Sequence, residues 1–279
     1  MIRIPRTLKR VIRQTELSAR EMLARPSVLA VSPRLSRLLR VVSIEREVRE
    51  VQARRDRFSF DPDLLFVWIP KAAGSSLVHW LNRELDLRFI NHVRVAEGLS
   101  QEEIRQIRAL TFGHMSVDRL IDCGYLEPGK LSHSFSFCFV RNPYTRVISV
   151  WKYLARQKVI PSTWTLDYFV FQLVRERPTP GIFNELSLSH GAPMVSWVRQ
   201  TNWSGPTHVF HFEQLTAGFS ELAESLGVKL ATPAENVGDY RRTRIPIRLK
   251  TLRRLENYYE KDFVEFGYDP KPPTGLFEI

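Results

Sequence analysis

Seven consecutive residues, Pro70-Lys71-Ala72-Ala73-Gly74-Ser75-Ser76, combine a cation, two hydroxyls and a run of small side chains. They separate a purely apolar stretch from an amphipathic one. Gly74 and its small neighbours let the backbone come close to a ligand. If a helix opens here, its first amides and the positive end of its dipole favour negative charge. Lys71, Ser75 and Ser76 add a charge and two hydroxyls, so the segment suits a phosphate or sulfate group. The alternative is a tight strand-to-helix turn with a serine cap and an incidental lysine. The nucleotide P-loop reads G-x-x-x-x-G-K-[ST]. Here Lys71 precedes Gly74 by three residues, which weakens an ATPase or kinase reading.

A second segment, Arg141-Asn142-Pro143-Tyr144-Thr145-Arg146-Val147-Ile148-Ser149, again follows an apolar run. Arg141 offers a planar fork of donors that matches a phosphate. Arg146, Ser149 and Tyr153 fall on one face of the helix that Pro143 opens. The alternative is a Pro-started helix whose arginines make surface pairs. A kinase would present an acidic residue at such a strand end to hold Mg²⁺. Arg141 favours a second anionic group over a metal.

The elements that position these turns are legible in the pattern. Leu64–Ile69 (LLFVWI) and Phe135–Val140 (FSFCFV) read as strands covered on both faces. His208–Phe212 reads as a third. Helices are expected over Ser75–Leu85, Glu102–Leu110 (capped by Ser100), Pro143 to about Ala155, Ala217–Leu226 (stopped by Gly227) and Arg248–Phe263. Strands alternating with helices predict an α/β fold with a central parallel sheet flanked by helices.

The chain has 279 residues, 43% hydrophobic and 25% charged, with a net charge of +11. That is enough to bury a sizeable core, and the composition is neither disordered nor fibrous. No apolar run approaches the ~18 residues of a membrane span. Cys123 and Cys138 fit no metal-ligand or disulfide-framework spacing. Residues 1–57 hold 15 Lys+Arg against 6 Asp+Glu, a net of +9, leaving +2 for the other 222. Nucleic-acid binding through the main body is therefore unattractive, since it needs a basic surface. Residues 1–57 read as a basic helical extension, with Leu35, Leu38, Leu39 and Val42 on one stripe. Such a helix suits an anionic membrane surface or packs on its own domain with a solvated Arg face. The expected division is 1–57 extension and 58–279 domain.

Taken in order, FVWIPKAAGSSL and FCFVRNPYTRVISVWKY resemble the donor-binding signatures of sulfotransferases that use 3′-phosphoadenosine 5′-phosphosulfate (PAPS). The tail HFEQLTAGFSELAESLGV, the loop at Asn236 and YYEKDFVEFGY resemble the carbohydrate-type branch, the sulfotransferase family 2-like enzymes, in their bacterial form. The likeness runs from about Leu64 to Asp269. It implies a P-loop-like α/β core and, as co-substrate, PAPS without a metal. It implies that Lys71 stabilises the leaving group and that Ala72, Ala73, Gly74, Ser75 and Ser76 bind the 5′-phosphosulfate. Arg141 and Ser149 would clamp the 3′-phosphate. His114, in Thr111-Phe112-Gly113-His114-Met115, is the candidate base, against a purely local packing role. Glu213 matches the family's F-E-x-L element and is expected to stabilise the core. His79 reads as structural, and His190, His208 and His211 carry no case. The loop Arg241, Arg242 and Arg244 could close over an anion or stay solvated. Trp164, Tyr168, Phe169, Phe171, Phe183 and Trp197 are read mostly as core, with sugar stacking as the other use. The resulting expectation is sulfonate transfer to a hydroxyl of a glycan or glycolipid, in the cytoplasm or at the inner membrane face. An ATP-dependent small-molecule kinase and a degenerate nucleotide-binding protein are the alternatives.

Overall fold

The computed structural model describes residues 59–90, 98–180, 186–198, 205–228 and 244–278. The basic stretch 1–57, Asn236, Arg241, Arg242 and Phe183 lie outside the described residues.

Five strands form one parallel sheet in the order β2-β3-β1-β4-β5. They are β1 (Leu64–Val67), β2 (Arg88–Phe89), β3 (Ala109–Thr111), β4 (Phe135–Val140) and β5 (His208–His211). β1 is buried at all four positions, as its uninterrupted apolar sequence requires. It pairs with β3 on one side and with β4 on the other, Val67 opposite Cys138. Helix α1 (Gly74–Leu85) follows β1 and leads toward β2. Helices α2 (Gln101–Gln106), α3 (Val117–Asp122) and α4 (Pro128–Leu131) flank β3 in the chain. Helix α5 (Pro143–Arg156) follows β4, and α6 (Leu166–Glu176) and the short α7 (Val195–Val198) precede β5. The chain continues through α8 (Leu215–Leu226), α9 (Leu249–Tyr258) and α10 (Glu260–Glu265). The short strands β6 (Ile245–Pro246) and β7 (Phe277–Glu278) make a separate parallel pair.

The strand order decides where a ligand can sit. The chain leaves β1 toward β2 on one side of the sheet and leaves β4 toward β5 on the other. β1 and β4 are neighbours, so the turns at their carboxyl ends open one crevice at the topological switch point. The two segments singled out in the sequence are those two turns.

Two apolar clusters hold this frame. One fills the sheet and its covering helices, with Leu65, Phe137 and Phe139 packed among Leu77, Leu81, Phe219 and Leu222. On α1 the buried Leu77, Trp80 and Leu81 keep i, i+3, i+4 spacing, each such burial being worth about 1.5–3 kcal/mol. The other cluster is helical, joining Val147, Ile148 and Leu154 of α5 to Phe169, Leu173, Leu255, Tyr259 and Phe263.

Two helices differ from the sequence reading by more than their end residues. The helix expected to Leu110 ends at Gln106, and Ala109–Thr111 forms β3 instead. This strand and β2 are only three and two residues long, too short to leave a period. The final helix is two, broken at Tyr259, whose ring is buried and whose hydroxyl is drawn away to the Gly191 carbonyl at 2.7 Å. Glu213 itself is exposed. It accepts from the Asn142 amide at 2.8 Å and from the Tyr268 hydroxyl at 2.9 Å, tying the start of α5 to the end of the domain.

Candidate active site

The turn after β1 is strained in an ordered way. Lys71 (φ 65°) and Ala73 (φ 68°) are both non-glycine residues in the left-handed region, a conformation that costs about 1–3 kcal/mol apiece and persists only where the surroundings impose it. Arg146 Nε donates to the Pro70 carbonyl at 3.0 Å and Arg141 Nη1 to the Lys71 carbonyl at 3.4 Å. The second motif thus grips the first by its carbonyls. The serine cap of a simple strand-to-helix turn is absent. Ala73 occupies the cap position of α1 and no side chain caps that end, while Ser75 and Ser76 stand in the first turn, exposed and half-buried. An uncapped helix start preceded by a left-handed residue is a concave set of amides that suits an anion.

Gly74 has a more immediate reason to be glycine than the approach of a ligand. A Cβ there would lie 1.7 Å from Nε1 of Trp68, whose indole runs across the turn. Trp68 in turn packs on Phe66, Phe89 and His114, with ring centroids 6.2, 5.0 and 4.9 Å away.

Asn142 caps α5, accepting from the amides of Tyr144 and Thr145, and Pro143 occupies its first position. Arg141 is held at the strand end. Its Nε donates to Thr145 Oγ1 at 3.1 Å and its guanidinium lies 4.0 Å over the Phe212 ring. It is only 5% exposed, a cation held within the domain. Ser149 lies on the buried face of α5, one turn beyond Arg146.

Arg146 is fully buried and is not a surface-pairing arginine. Besides Pro70 it donates to the Ala192 carbonyl at 3.0 Å and to the His190 carbonyl at 2.8 Å. Burial lowers its pKa, and the field of Tyr259 and Asp262 opposes that shift. Asp262, also buried, accepts from the amides of Met194 and Val195 at 2.7 and 2.9 Å. Burial pushes its carboxyl up to about 6, against the pull of Arg146 and those amides.

Lys71 lies at the centre, its ammonium 4.2 Å above the Tyr153 ring. Burial lowers its pKa, and the neighbouring Arg156 and Arg141 lower it further. His114 approaches from the end of β3. Its Nδ1 is 3.1 Å from the Trp68 carbonyl, which can only accept, so Nδ1 carries the hydrogen and Nε2 keeps a bare lone pair. Trp197 Nε1 donates to the His114 carbonyl at 3.1 Å. Burial brings the His114 pKa down to about 4 despite the Trp68 carbonyl, with Lys71 and Arg146 adding repulsion. The ring is therefore neutral at neutral pH.

The structure thus brings Lys71, Ala72, Ala73, Gly74, Arg141 and His114 to one crevice, with Ser75 and Ser76 at its helix start. His79 faces solvent on α1. Phe169 and Trp197 are buried, Trp164 is half-buried, and Tyr168 and Phe171 are exposed. His190 and Asp262 were not singled out from the sequence: His190 packs edge-to-face on His114 at 4.8 Å and belongs to no motif, and Asp262 lies within the tail segment YYEKDFVEFGY with nothing local to mark its role. Arg244 is exposed. Among the described residues no group of three His, Cys, Asp or Glu could hold a metal ion, and no helix is long and apolar enough to cross a membrane.

No curated protein sequence matches the chain. Solved structures that resemble it include a sulfotransferase from Alicyclobacillus acidocaldarius, at 13% identity and a TM-score of 0.44, over 75% of this chain and 96% of that one. Another is mouse sulfotransferase SULT7A1 complexed with PAP, at 16% identity and a TM-score of 0.40, over 64% of each chain. Residues 56–269, which include the turns after β1 and β4 and His114, match the model of the sulfotransferase family, and the chain belongs to that family.

Proposed function

We propose that this sulfotransferase moves the sulfonate group of PAPS to a hydroxyl of a glycan or glycolipid. The observation that carries the reading is the convergence of Lys71, Arg141 and a singly bonded His114 at the β1/β4 crevice. The amides of the Ala72–Ser76 turn and the two serine hydroxyls receive the 5′-phosphosulfate. Arg141 and Ser149 take the 3′-phosphate, the group that separates PAPS from ATP. The acceptor oxygen forms its bond to sulfur as the bond from sulfur to the bridging oxygen breaks. Its proton passes to Nε2 of His114. Lys71 stabilises the charge that grows on the leaving phosphate. Its partly buried ammonium, crowded by Arg141 and Arg156, gains more from an anion than a solvated lysine would.

The glycan acceptor is supported by the Trp164, Tyr168 and Phe171 rings on or beside α6, two of them exposed, since aromatic faces stack on sugar rings. The division into a 1–57 extension and a 58–279 domain, the cytoplasmic site of action and attachment to an anionic membrane surface belong to the same proposal. Removing residues 1–42 should then reduce binding to anionic liposomes.

The donor site is tested by thermal stabilisation with 3′,5′-adenosine bisphosphate (PAP), beside 5′-AMP and Mg-ATP. At ~100 times its dissociation constant PAP should add about 2.7 kcal/mol, and Arg141→Ala should abolish the shift. A shift with Mg-ATP alone would move the kinase reading to first place.

A further inference from the structure

The segment from Ser187 to Val195 takes no part in the sheet, yet it is held from three directions. Arg146 binds the carbonyls of His190 and Ala192, Tyr259 donates to the Gly191 carbonyl, and Asp262 accepts from Met194 and Val195. A Cβ on Gly191 would press 2.8 Å from the Leu173 side chain, so the turn also lies tight on α6. What this strap presents to the site is the His190 ring. It contacts His114 edge-to-face at 4.8 Å and stacks beside Tyr153 at 5.9 Å, the ring that carries the Lys71 ammonium. His190 therefore lies against both the candidate base and the ring that carries the Lys71 ammonium, beside the path a sulfonate would take between them.

The imidazole is 1% exposed, and neither ring nitrogen has a hydrogen-bond partner among the described residues. The Ser187 carbonyl accepts the His190 amide at 3.2 Å and lies close enough to pull slightly on the ring, but makes no hydrogen bond of good geometry with either ring nitrogen. Burial, with His114, Arg146 and Lys71 adding repulsion, keeps the ring neutral, so it holds one N–H and one lone pair. A phenylalanine would pack in this place without an unpaired polar atom. A buried donor held this firmly and left unpaired is explained by a partner that arrives with the substrate.

We propose that His190 is a binding residue of the transfer step, its N–H donating to a sulfonate oxygen of the donor. The inference rests on the donor reading above. It requires Lys71 to leave the Tyr153 ring for the phosphosulfate, an exchange of a ring contact for an anion.

The test uses PAPS alone, following its slow hydrolysis to PAP and sulfate with water as acceptor, beside calorimetric titration with PAP, which lacks the sulfonate. His190→Phe should bind PAP within twofold of wild type and melt no lower, while PAPS turnover falls about 100-fold, as for loss of one oxyanion donor. His190→Gln, which keeps an N–H, should recover at least tenfold. His190→Leu serves in place of the phenylalanine should the larger ring fail to fold. Turnover within threefold of wild type in His190→Phe or His190→Leu would overturn the inference. So would a PAP affinity that falls as far as turnover, or a glutamine variant no better than the apolar one. Wild-type protein that does not bind PAP overturns the donor reading and this inference together; a failure confined to the His190 variants overturns only the latter.

Discussion

Replacing Gly74 with alanine separates two reasons for a glycine in the donor turn. If the glycine serves only the approach of a ligand, the empty protein should tolerate the methyl group. The structure argues otherwise, because the added Cβ would meet Trp68 Nε1 at 1.7 Å, Cδ1 at 2.2 Å and Cε2 at 2.5 Å. Ordinary contact needs about 3.5–4 Å, so the indole must retreat by roughly 2 Å. It cannot do so freely, being packed on Phe66, Phe89 and His114. Overpacking of this kind costs about 1–3 kcal/mol, and the gain in helix propensity returns at most about 1 kcal/mol. With the full propensity gain set against it, the remaining loss is up to about 2 kcal/mol, which should lower the melting temperature by up to about 8 °C in a domain of this size. In a Trp68→Ala background the same Gly74→Ala change should cost nothing or stabilise. Calorimetry on the four proteins of this cycle supplies the numbers. Equal losses in both backgrounds, or none in either, would refute the reasoning that Trp68 fixes Gly74.

Three further outcomes are expected. Arg146→Met removes three carbonyl contacts and leaves Asp262 buried without its cation, so urea denaturation should show a loss of about 3–5 kcal/mol. For His114 the unfolded chain binds a proton near pH 6.5 that the folded chain refuses until about pH 4. Its contribution is therefore complete above pH 6.5 and fades as the pH falls to 4, by about 3 kcal/mol at most; His114→Gln should flatten the urea midpoint over that window. Asp262 acts with the opposite sign between about pH 4 and 6, since the folded carboxyl keeps a proton that the unfolded chain releases. Asp262→Asn should remove that opposing slope and steepen the acid loss that His114 causes.

The two turns are legible in the amino-acid order alone, because each is built from neighbours in the chain. Lys71 to Ser76 and Arg141 to Ser149 carry their chemistry within nine residues, bounded by apolar runs long enough to read as strands. The parallel α/β class followed from the same runs. Single residues were harder to place. Arg146 looks like one more helical arginine until its guanidinium is seen holding the Pro70, His190 and Ala192 carbonyls. Gly74 looked like space for a ligand, and its neighbour turned out to be Trp68, six residues back. His190 belongs to no motif, since what brings it to His114 is a strap fixed by Arg146, Tyr259 and Asp262 from two distant helices. Contacts of this kind join residues 44 to 76 positions apart and leave no local period. The strand order that sets the two turns side by side has the same character. It is decided by which crossovers let every helix cover the sheet, and only the folded chain expresses it.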